Sequence, residues 1–435
     1  MIATLSACIA IAAARAVPVV EVEDTVATYA PANNGAGPLW CYGAPLIARI
    51  GDRVYASALE TGVSVEPLCN TRWRLYARED DGAWELIGHA DEFDTREPCP
   101  LGATPDGRVF LSINPLIDTS ARRSGPSDPQ LLEFTSPAPG DMPQALAVPW
   151  VDGHSFTEHS YRGFAVDGEA GEQLAMNIDS PTGDQFWAHR DADGNWTNAG
   201  RIPFPIRSCY PQVSLRHGAG HVLAIGDIVE PVDEWREYKF EQTQRTWDYV
   251  FRRLFYARTP DISSEQFGEA IEIDNVDATS GHISNLDLFI ADDGAAHLLY
   301  LRRTVQSTSM RDRFFPDQRI AADLVHVVLR DGAVQSRQTL IAGGEGTSGM
   351  QPAYGRFHRD ADARLYVVYT ASGTNGLIAL TEDGSDEPVT IPLDEPFGTF
   401  FTATERGGSA PSDTLDMFGV GGDGHVLRYA RVRLP

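Results

Sequence analysis

The segment Gly220-His-Val-Leu-Ala-Ile225 is one copy of a strand-like phrase that recurs seven times along this 435-residue chain. Each copy starts with a small, polar or charged residue and continues with alternating or wholly apolar residues, as β-strands do. Neighbouring copies are about 50 to 75 residues apart, a spacing typical of blades or solenoid units. The other copies are Asp52-Arg-Val-Tyr-Ala-Ser57, Gly107-Arg-Val-Phe-Leu-Ser112, Glu172-Gln-Leu-Ala-Met-Asn177, Ala296-His-Leu-Leu-Tyr300, Arg364-Leu-Tyr-Val-Val-Tyr369 and Gly424-His-Val-Leu-Arg-Tyr429.

The repeat predicts an all-β fold, a seven-bladed β-propeller. Most copies follow a turn-like Gly or Asp, as the second strand of a hairpin does. Seven four-stranded sheets around a channel form a propeller, and single blades cannot bury their own faces. We therefore expect one domain over residues 17–435. The chain ends soon after the last copy, so the strand-like segment Val19 to Tyr29 is predicted to complete blade seven and cover its open edge.

The strands that line the channel are predicted just before each copy of the phrase. Three long loops between second and third strands are predicted at Ile113 to Gln130, Asp227 to Asp248 and Arg302 to Pro316, and the best candidate helix is Glu234 to Tyr249. Propeller geometry brings the starts of the inner strands and these loops to one face. The predicted inner strands are Tyr42 to Arg49, Cys99 to Thr104, His159 to Val166, Tyr210 to Arg216, His282 to Ile290, Gln351 to His358 and Thr414 to Val420.

The charge balance argues against a nucleic-acid partner. The chain carries 61 acidic and 35 basic residues, a formal net charge of -26, and such a surface repels phosphates. All basic residues except Lys239 are arginines. Guanidinium groups bind carboxylate and sulfate through two parallel hydrogen bonds, so local arginine clusters suit anionic ligands.

The first residues predict export. Met1 to Ala16 is apolar and small and ends in Ala14-Arg-Ala16, which resembles the end of a secretory signal peptide cut after Ala16. Leu5-Ser-Ala-Cys8 also fits a lipoprotein cleavage box, so secreted, periplasmic and lipid-anchored forms stay open. No later segment is long and apolar enough to span a bilayer. The expected state is a monomer.

Four cysteines remain after such a cleavage: Cys41, Cys69, Cys99 and Cys209. In an exported chain they permit two disulfides, in three pairings, and buried free thiols are the alternative. Any bond is expected among Cys41, Cys69 and Cys99, with Cys209 reduced or paired with Cys41. Because the chain lacks CxxC or Cys/His metal spacing, we expect no cofactor, and nothing supports a structural metal.

Polar and aromatic residues mark the expected channel mouth. The densest segment is Phe156-Thr-Glu-His-Ser-Tyr-Arg162, where His159 and Tyr161 would share one face of a strand. Such a pair suits general acid and base work, although a channel-lining hydrogen-bond ring would look the same. The candidate catalytic residues are His159, Tyr161, Arg207, Tyr210 and His282. The candidate substrate-binding residues are Tyr42, Trp235, Arg302, Arg303, Gln351 and Tyr354.

Two hairpin phrases carry a family resemblance. Arg78-Glu-Asp-Asp-Gly-Ala-Trp84 with Gly88 matches Arg190-Asp-Ala-Asp-Gly-Asn-Trp196 with Gly200, and both resemble the Asp-box of sialidase-type (BNR) propellers. Within that superfamily, the His, Tyr and Arg set resembles the sites of seven-bladed polysaccharide lyases such as ulvan lyases. Related propellers include rhamnosidases that act next to glucuronate.

The resemblance implies an exported protein that acts on an acidic, uronate or sulfated glycan, as a polysaccharide lyase or glycoside hydrolase. In elimination, Arg207 or a loop arginine would neutralise the uronate, Tyr210 or His159 would remove the proton, and Tyr161 or His282 would protonate the leaving oxygen. A noncatalytic propeller that binds glycan or protein is the alternative, and a structural cell-surface module is a third.

Overall fold

The computed structural model shows a seven-bladed β-propeller, as the repeat predicts. It describes residues 17–40, 45–120, 123–347, 349–382, 384–422 and 425–435. Strands make up 51% of it and helices 6%, so there is no room for helical layers. Among the described residues, none of the helices is long and apolar enough to cross a membrane.

Each blade is an antiparallel sheet whose strands run from the channel outward. The strands of blades one to three are Ile47–Ile50, Arg53–Thr61, Thr71–Glu79 and Glu85–His89; Leu101–Ala103, Arg108–Ile113, Gln130–Thr135 and Gln144–Ala147; Gly163–Asp167, Glu172–Ile178, Gln185–Arg190 and Trp196–Ile202. Those of blades four and five are Ser208–Arg216, Ala219–Gly226, Arg253–Thr259 and Ile271–Asn275; His282–Ile290, Ala296–Arg303, Ala321–Arg330 and Ala333–Gly344. Those of blades six and seven are Pro352–Arg359, Leu365–Ala371, Thr374–Thr381 and Val389–Thr390 with Gly384–Ser385; Phe397–Thr402, Thr414–Gly421, Val426–Arg433 and Val19–Thr28.

The N-terminal strand completes blade seven, as predicted. Val19–Thr28 pairs antiparallel with Val426–Arg433, from Val19 opposite Arg433 to Thr28 opposite Val426. This pairing joins the first strand of the chain to the last, so the ring is closed by hydrogen bonds rather than left with an open edge.

The strand assignment within blade seven was wrong. The predicted inner strand, Thr414 to Val420, is the second strand, and the last copy of the phrase lies in the third. The inner strand is Phe397–Thr402, one strand earlier in the chain than predicted. The other six copies do form second strands, and the two Asp-box-like phrases form the outer hairpins of blades one and three.

Small elements decorate the loops. Two helices, α1 (Asp233–Thr243) and α2 (Thr308–Phe314), lie in the loops between the second and third strands of blades four and five. α1 confirms a helix in the predicted segment Glu234 to Tyr249 but ends at Thr243, and Tyr249 lies in a short strand. The remaining elements are the strand pairs Pro126–Ser127 with Phe156–Thr157 and Ile228–Val229 with Tyr249–Val250, and the short 3₁₀ turns Val151–Gly153 and Asp277–Thr279.

The two faces of the propeller carry different connections. We call the face where inner strands begin the mouth face and the opposite face the base. A long loop at the base, residues 403–413, joins the first two strands of blade seven and enters the channel. In this loop the Arg406 carbonyl accepts a hydrogen bond from Val166 N, and the Gly407 carbonyl accepts one from Ala103 N, both at 2.9 Å. Gly408 has φ +85° there, and a Cβ would lie 1.8 Å from the Ala103 carbonyl, so only glycine fits.

This plug loop places a charge in the channel. Arg406 Nη1 donates to Gln212 Oε1 at 3.0 Å and lies 3.3 Å from Asp287, which also pairs with Arg356 at 3.5 Å. Burial outweighs the attraction of Asp287 and lowers the pKa of Arg406 to about 10. These contacts link the plug loop to inner strands of blades four, five and six.

Of the bonds expected among Cys41, Cys69 and Cys99, the one between Cys69 and Cys99 does not form, and these two cysteines follow the alternative of buried thiols. Both residues are buried free thiols. Burial raises the pKa of Cys69, and it raises that of Cys99 to about 11, so neither is a reactive thiolate. Cys209 is buried as well. Cys41 lies outside the described residues, and so does the proposed signal peptide, Met1 to Ala16.

Candidate functional site

A cavity of about 330 Å³ opens at the centre of the mouth face. It forms there because inner strands of several blades begin around it and the long loop of blade four covers one side. Its walls combine aromatic rings with polar side chains, a composition typical of sugar sites. The side chains that matter below are Trp40, Tyr210, Phe251, His282, Asn285 and Tyr354.

Phe251 divides the cavity wall into two polar halves. Its ring lies 5.9 Å from the ring of Tyr210 and 5.7 Å from that of His282, measured between centroids. Tyr210 lies near the start of the inner strand of blade four, and His282 is the first residue of the inner strand of blade five. The two polar groups therefore flank one apolar ring. A sugar stacked on Phe251 would have a phenol on one side and an imidazole on the other.

Behind Tyr210 lies a continuous aromatic cluster. The ring centroid of Tyr210 is 4.6 Å from that of Tyr161, and Tyr161 is 4.5 Å from His159. Trp40 contacts all three rings at 5.0 to 5.9 Å. The structure therefore brings together the three predicted residues His159, Tyr161 and Tyr210, but only Tyr210 among them lines the cavity.

Tyr161 and Tyr210 share an unusual backbone conformation. Their φ angles are +37° and +51°, in the left-handed region that bulky residues rarely adopt. Hydrogen bonds hold both turns: Tyr161 N donates to Glu97 Oε2 at 2.9 Å, and Asn285 Nδ2 donates to the Tyr210 carbonyl at 2.6 Å. Strained residues of this kind cluster at functional sites, where the surrounding structure compensates for the strain.

Glu97 is the anchor of the Tyr161 turn. It is 1% exposed and also accepts hydrogen bonds from Ser160, at 2.7 Å from the hydroxyl and at 3.2 Å from the amide. Arg162 donates to the Glu97 and Pro98 carbonyls and to the Ser160 hydroxyl. Because these bonds pin the turn, the inner strand of blade three begins at Gly163 rather than at the predicted His159.

Arg96 fixes the protonation state of His159. Its Nη1 lies 2.5 Å from His159 Nδ1, and because guanidinium only donates, Nδ1 accepts and the ring proton sits on Nε2. Burial, reinforced by Arg96 and Arg207 and opposed by Glu97, lowers the pKa of His159, so its ring is neutral. Nε2 is buried and has no hydrogen-bond partner among the described residues. His159 is thus poorly placed to remove a substrate proton.

Arg207 is committed to the protein. It donates to the Ser180 carbonyl at 2.8 Å, to the Asp227 carbonyl at 2.9 Å and to the Asp227 carboxylate. Burial alone would lower its pKa, but the charge of Asp227 more than offsets this and the pKa is raised. The guanidinium also acts electrostatically on His159 and Tyr161, so it supports the cluster from behind.

His282 is a neutral imidazole at the cavity wall. Burial, reinforced by the positive charges of Arg303 and Arg252, lowers its pKa to about 4. A ring nitrogen lies 3.2 Å from the Ser284 hydroxyl. Arg303 pairs with His282 across the two inner strands of blade five and is exposed. Among the described residues Arg303 forms no salt bridge, so its guanidinium is available to an anion.

The helices build one rim of the mouth. The ring of Trp235 on α1 lies 5.4 Å from that of Phe315, the residue that follows α2, and 5.2 Å from the Arg252 guanidinium. Arg252 in turn bonds to Glu230, and so does Lys239 at 2.7 Å. Trp235 therefore lies one layer behind the cavity, where it supports the loop that carries Phe251.

Other predicted substrate residues are scattered. Tyr354 lines the cavity and accepts hydrogen bonds from Arg356 at 2.6 and 3.1 Å. Arg302 lies on the other face of the sheet from Arg303 and pairs with Asp274 at 3.2 Å, because successive strand residues face opposite sides. Gln351 accepts from Gly344 N at 3.0 Å and is absent from the cavity wall. Tyr42 lies outside the described residues.

Five further residues that line the cavity or hold the aromatic cluster were not predicted from the sequence: Trp40, Arg96, Glu97, Phe251 and Asn285. Arg96 and Glu97 directly precede the predicted inner strand of blade two, so extending the rule by a few residues would have found them. Trp40 likewise precedes the segment predicted for blade one. Phe251 follows the predicted loop by three positions, and nothing in its local pattern marks it.

Among the described residues, no group of three or more His, Cys, Asp or Glu side chains is placed to hold a metal ion. The cavity wall offers phenols and an imidazole, and the exposed Arg303 is the register partner of His282 in the sheet. The chemistry available at this site is therefore proton transfer and binding of anions.

Comparison with known proteins supports the fold. No protein-family model and no curated protein matches this chain. The solved structure of polysaccharide lyase Uly1 matches with a TM-score of 0.54 and 11% identity over 90% of each chain. Two structures of a PL25 ulvan lyase match with TM-scores of 0.55 and 0.56 and 9% identity over 94% of this chain and 95% of theirs. One of them is bound to -[GlcA(1-4)Rha3S]-. At such identities the likeness establishes the propeller fold alone.

Proposed function

We propose that this protein is an exported enzyme that acts on an acidic glycan, as a polysaccharide lyase that cleaves by β-elimination. The observation that carries the proposal is the pair Tyr210 and His282 on either side of Phe251 in the mouth cavity, with Arg303 beside His282. The fold neighbours named as polysaccharide lyases support the same class of reaction.

The charge distribution supports an anionic substrate. A chain of net charge -26 repels acidic polymers except where cations are concentrated. Arg303 and Arg96 lie on the mouth face, and neither forms a salt bridge among the described residues. Aromatic rings at the cavity wall, Trp40 and Phe251 among them, provide the apolar faces on which sugars stack.

In the proposed reaction, Arg303 binds the uronate carboxylate and so acidifies the C5 proton. Neutral His282 removes that proton, and the electron pair forms the C4–C5 double bond as the bond from C4 to the leaving oxygen breaks. The Tyr210 phenol donates its proton to that oxygen. The imidazolium then returns a proton to the phenolate through solvent, so atoms and charges balance.

This assignment changes two roles expected from the sequence. His159 becomes a positioning residue, because Nδ1 is bonded to Arg96 and Nε2 is buried. Arg207 likewise supports the site, because Asp227 and Ser180 occupy its donors. Arg303, one of the predicted loop arginines, takes over the neutralising role.

The test is incubation of the protein with a panel of uronate-containing and sulfated polysaccharides, followed by the ultraviolet absorbance of unsaturated uronate. We expect that absorbance to rise with wild-type protein and to be lost in His282→Ala and Tyr210→Phe. New reducing ends without absorbance would indicate hydrolysis. Binding without any product would support the glycan-binding alternative and overturn the enzymatic proposal.

A further inference from the structure

A second aromatic feature lies on the mouth face, away from the cavity. The ring centroids of Tyr29 and His425 are 5.4 Å apart, with planes tilted by 57°. Tyr29 N donates to the His425 carbonyl at 2.9 Å, which fixes the two segments together. His425 is exposed and Tyr29 is half-buried. We call this pair the outer platform.

Topology places the outer platform at the rim of blade seven. Tyr29 directly follows the outermost strand, Val19–Thr28, and His425 directly precedes the third strand, Val426–Arg433. Both ends lie on the mouth face because inner strands begin there and successive strands alternate in direction. With strands about 4.8 Å apart, the platform is roughly 10 to 14 Å outside the inner strand of the same blade.

Two depressions lie next to the platform, and one of them shares a lining residue with the cavity. A groove of about 600 Å³ between blades six and seven is lined by Thr399, which it shares with the cavity, and by both platform residues. A second groove, of about 310 Å³, is lined by the same two residues and extends to Arg96. The cavity and the two grooves thus neighbour one another on the mouth face, and we call them, with Arg96, the track.

Arg96 supplies positive charge at the end of this track. Its Nη1 is bonded to His159 and its Nε to the Asn34 carbonyl at 3.2 Å. It forms no salt bridge among the described residues, so its charge is not cancelled by a contacting carboxylate. A groove that combines the half-buried ring of Tyr29, the exposed ring of His425 and a guanidinium without a salt bridge suits a chain of acidic sugars.

We propose that the outer platform is a remote binding site for the same acidic glycan chain whose reacting unit occupies the mouth cavity. A sugar unit beyond the cavity passes Thr399 and stacks on Tyr29 and His425, and an acidic group of that chain meets Arg96. This inference rests on the proposed function for the identity of the ligand. Because the platform is more than one sugar away from the cavity, it binds long chains and not short ones.

The test compares dissociation constants for a GlcA–Rha3S polymer and for its disaccharide in wild type, Tyr29→Ala, His425→Ala and the double variant. We expect the double variant to weaken polymer binding by about five- to tenfold. Binding of the disaccharide should not change. Tyr29→Phe, which keeps the ring, should retain near wild-type affinity.

Trp247→Ala is the matched control, because Trp247 is 73% exposed in the blade-four loop of the same face and lies outside the track. Equal weakening by Trp247→Ala, unchanged polymer binding in the double variant, or failure of wild type to bind the polymer would overturn the platform. Polymer binding that depends on the platform without any cleavage would instead overturn the lyase proposal alone, so the two failures are distinguishable.

Discussion

The arginines of the base and two arginines of the mouth face differ in whether a carboxylate forms a salt bridge with them. On the base, Arg49 bonds to Asp416 and Asp80, Arg216 bonds to Asp292 and Glu169, and Arg359 bonds to Asp292 and Glu405. Each guanidinium is shared between two carboxylates. On the mouth face, Arg96 and Arg303 form no salt bridge among the described residues. The base arginines therefore link blades, and Arg207 and Arg252 on the mouth face are also paired, with Asp227 and Glu230. Arg96 and Arg303 are the mouth arginines whose charge we assign to a ligand.

Backbone strain is also distributed unevenly. Tyr161 and Tyr210, the two tyrosines with left-handed φ, are neighbours in the mouth cluster. Positive φ elsewhere among the described non-glycine residues falls largely on turn-type residues such as Asn33, Asp331 and Ser372. We infer that salt bridges at the base stabilise the fold, whereas constrained backbone angles at the mouth position the side chains of the site. The predictions below test this division.

The largest effect is expected at the cavity wall. His282→Ala and Tyr210→Phe should each lower kcat by roughly 10²- to 10⁴-fold, because each removes a proton-transfer group. The controls are His89→Ala, an exposed histidine on the outer strand of blade one, and Tyr366→Phe, whose hydroxyl bonds to Asp360 at the base. Initial rates of absorbance change measure the effect. Comparable losses in the control variants would remove the distinction between the faces.

The next largest effects are expected for substitutions of one base arginine and one mouth arginine. The first substitution should lower stability, and the second should weaken glycan binding. Arg359→Ala should lower the free energy of unfolding by about 2–4 kcal/mol, because it leaves the buried Glu405 carboxylate without its partner. Arg303→Gln should leave stability within about 0.5 kcal/mol, because the side chain is exposed. It should instead weaken binding of an acidic glycan by roughly tenfold or more. Urea denaturation and titration calorimetry distinguish the two outcomes.

A smaller effect is expected from the positioning layer. His159→Ala should lower kcat by about tenfold to a hundredfold, because the Tyr161 and Tyr210 rings lose a packing partner. The acid limb of the pH–rate profile of this variant should match that of the wild type, because the group that titrates there is His282 and not His159. A shifted limb, or complete loss of turnover, would restore His159 as a catalytic residue.

Acid sensitivity should be the mildest effect. Burial lowers the pKa of His282 to about 4 and that of His221 to about 3, below the usual value near 6.5. Between about pH 4 and pH 6.5 these histidines bind more protons in the unfolded chain than in the folded one. The free energy of unfolding is therefore highest above about pH 6.5 and falls as the pH drops towards 4. Thermal melts from pH 7 to 4 measure this decline. A Tm that rises over the same range would contradict neutral burial of these histidines.

The sequence predicted the ring of blades well, because second strands repeat a polar start before an apolar run. It failed in blade seven, because the last copy of the phrase lies in the third strand there and the plug loop separates the inner strand, Phe397–Thr402, from the second. That loop is invisible to a repeat argument, since its contacts are to Val166, Ala103 and Arg49 of distant blades.

The mouth was predictable in composition and not in detail. Propeller topology indicates that residues at inner-strand starts converge, and His159, Tyr161, Tyr210 and His282 do lie there. Their individual roles depend on partners distant in sequence, such as Arg96 for His159 and Asn285 for Tyr210. Periodicity carries no information on a left-handed φ, on a ring tautomer or on which guanidinium is already paired.

The most direct test of the proposed site is a crystal structure of the Tyr210→Phe variant with a uronate-containing oligosaccharide derived from a polysaccharide that the wild-type protein cleaves. We expect a sugar ring stacked on Phe251 between positions 210 and 282, with its carboxylate about 3 Å from the Arg303 guanidinium. A sugar bound at the base, or one whose carboxylate faces away from Arg303, would contradict the proposed site.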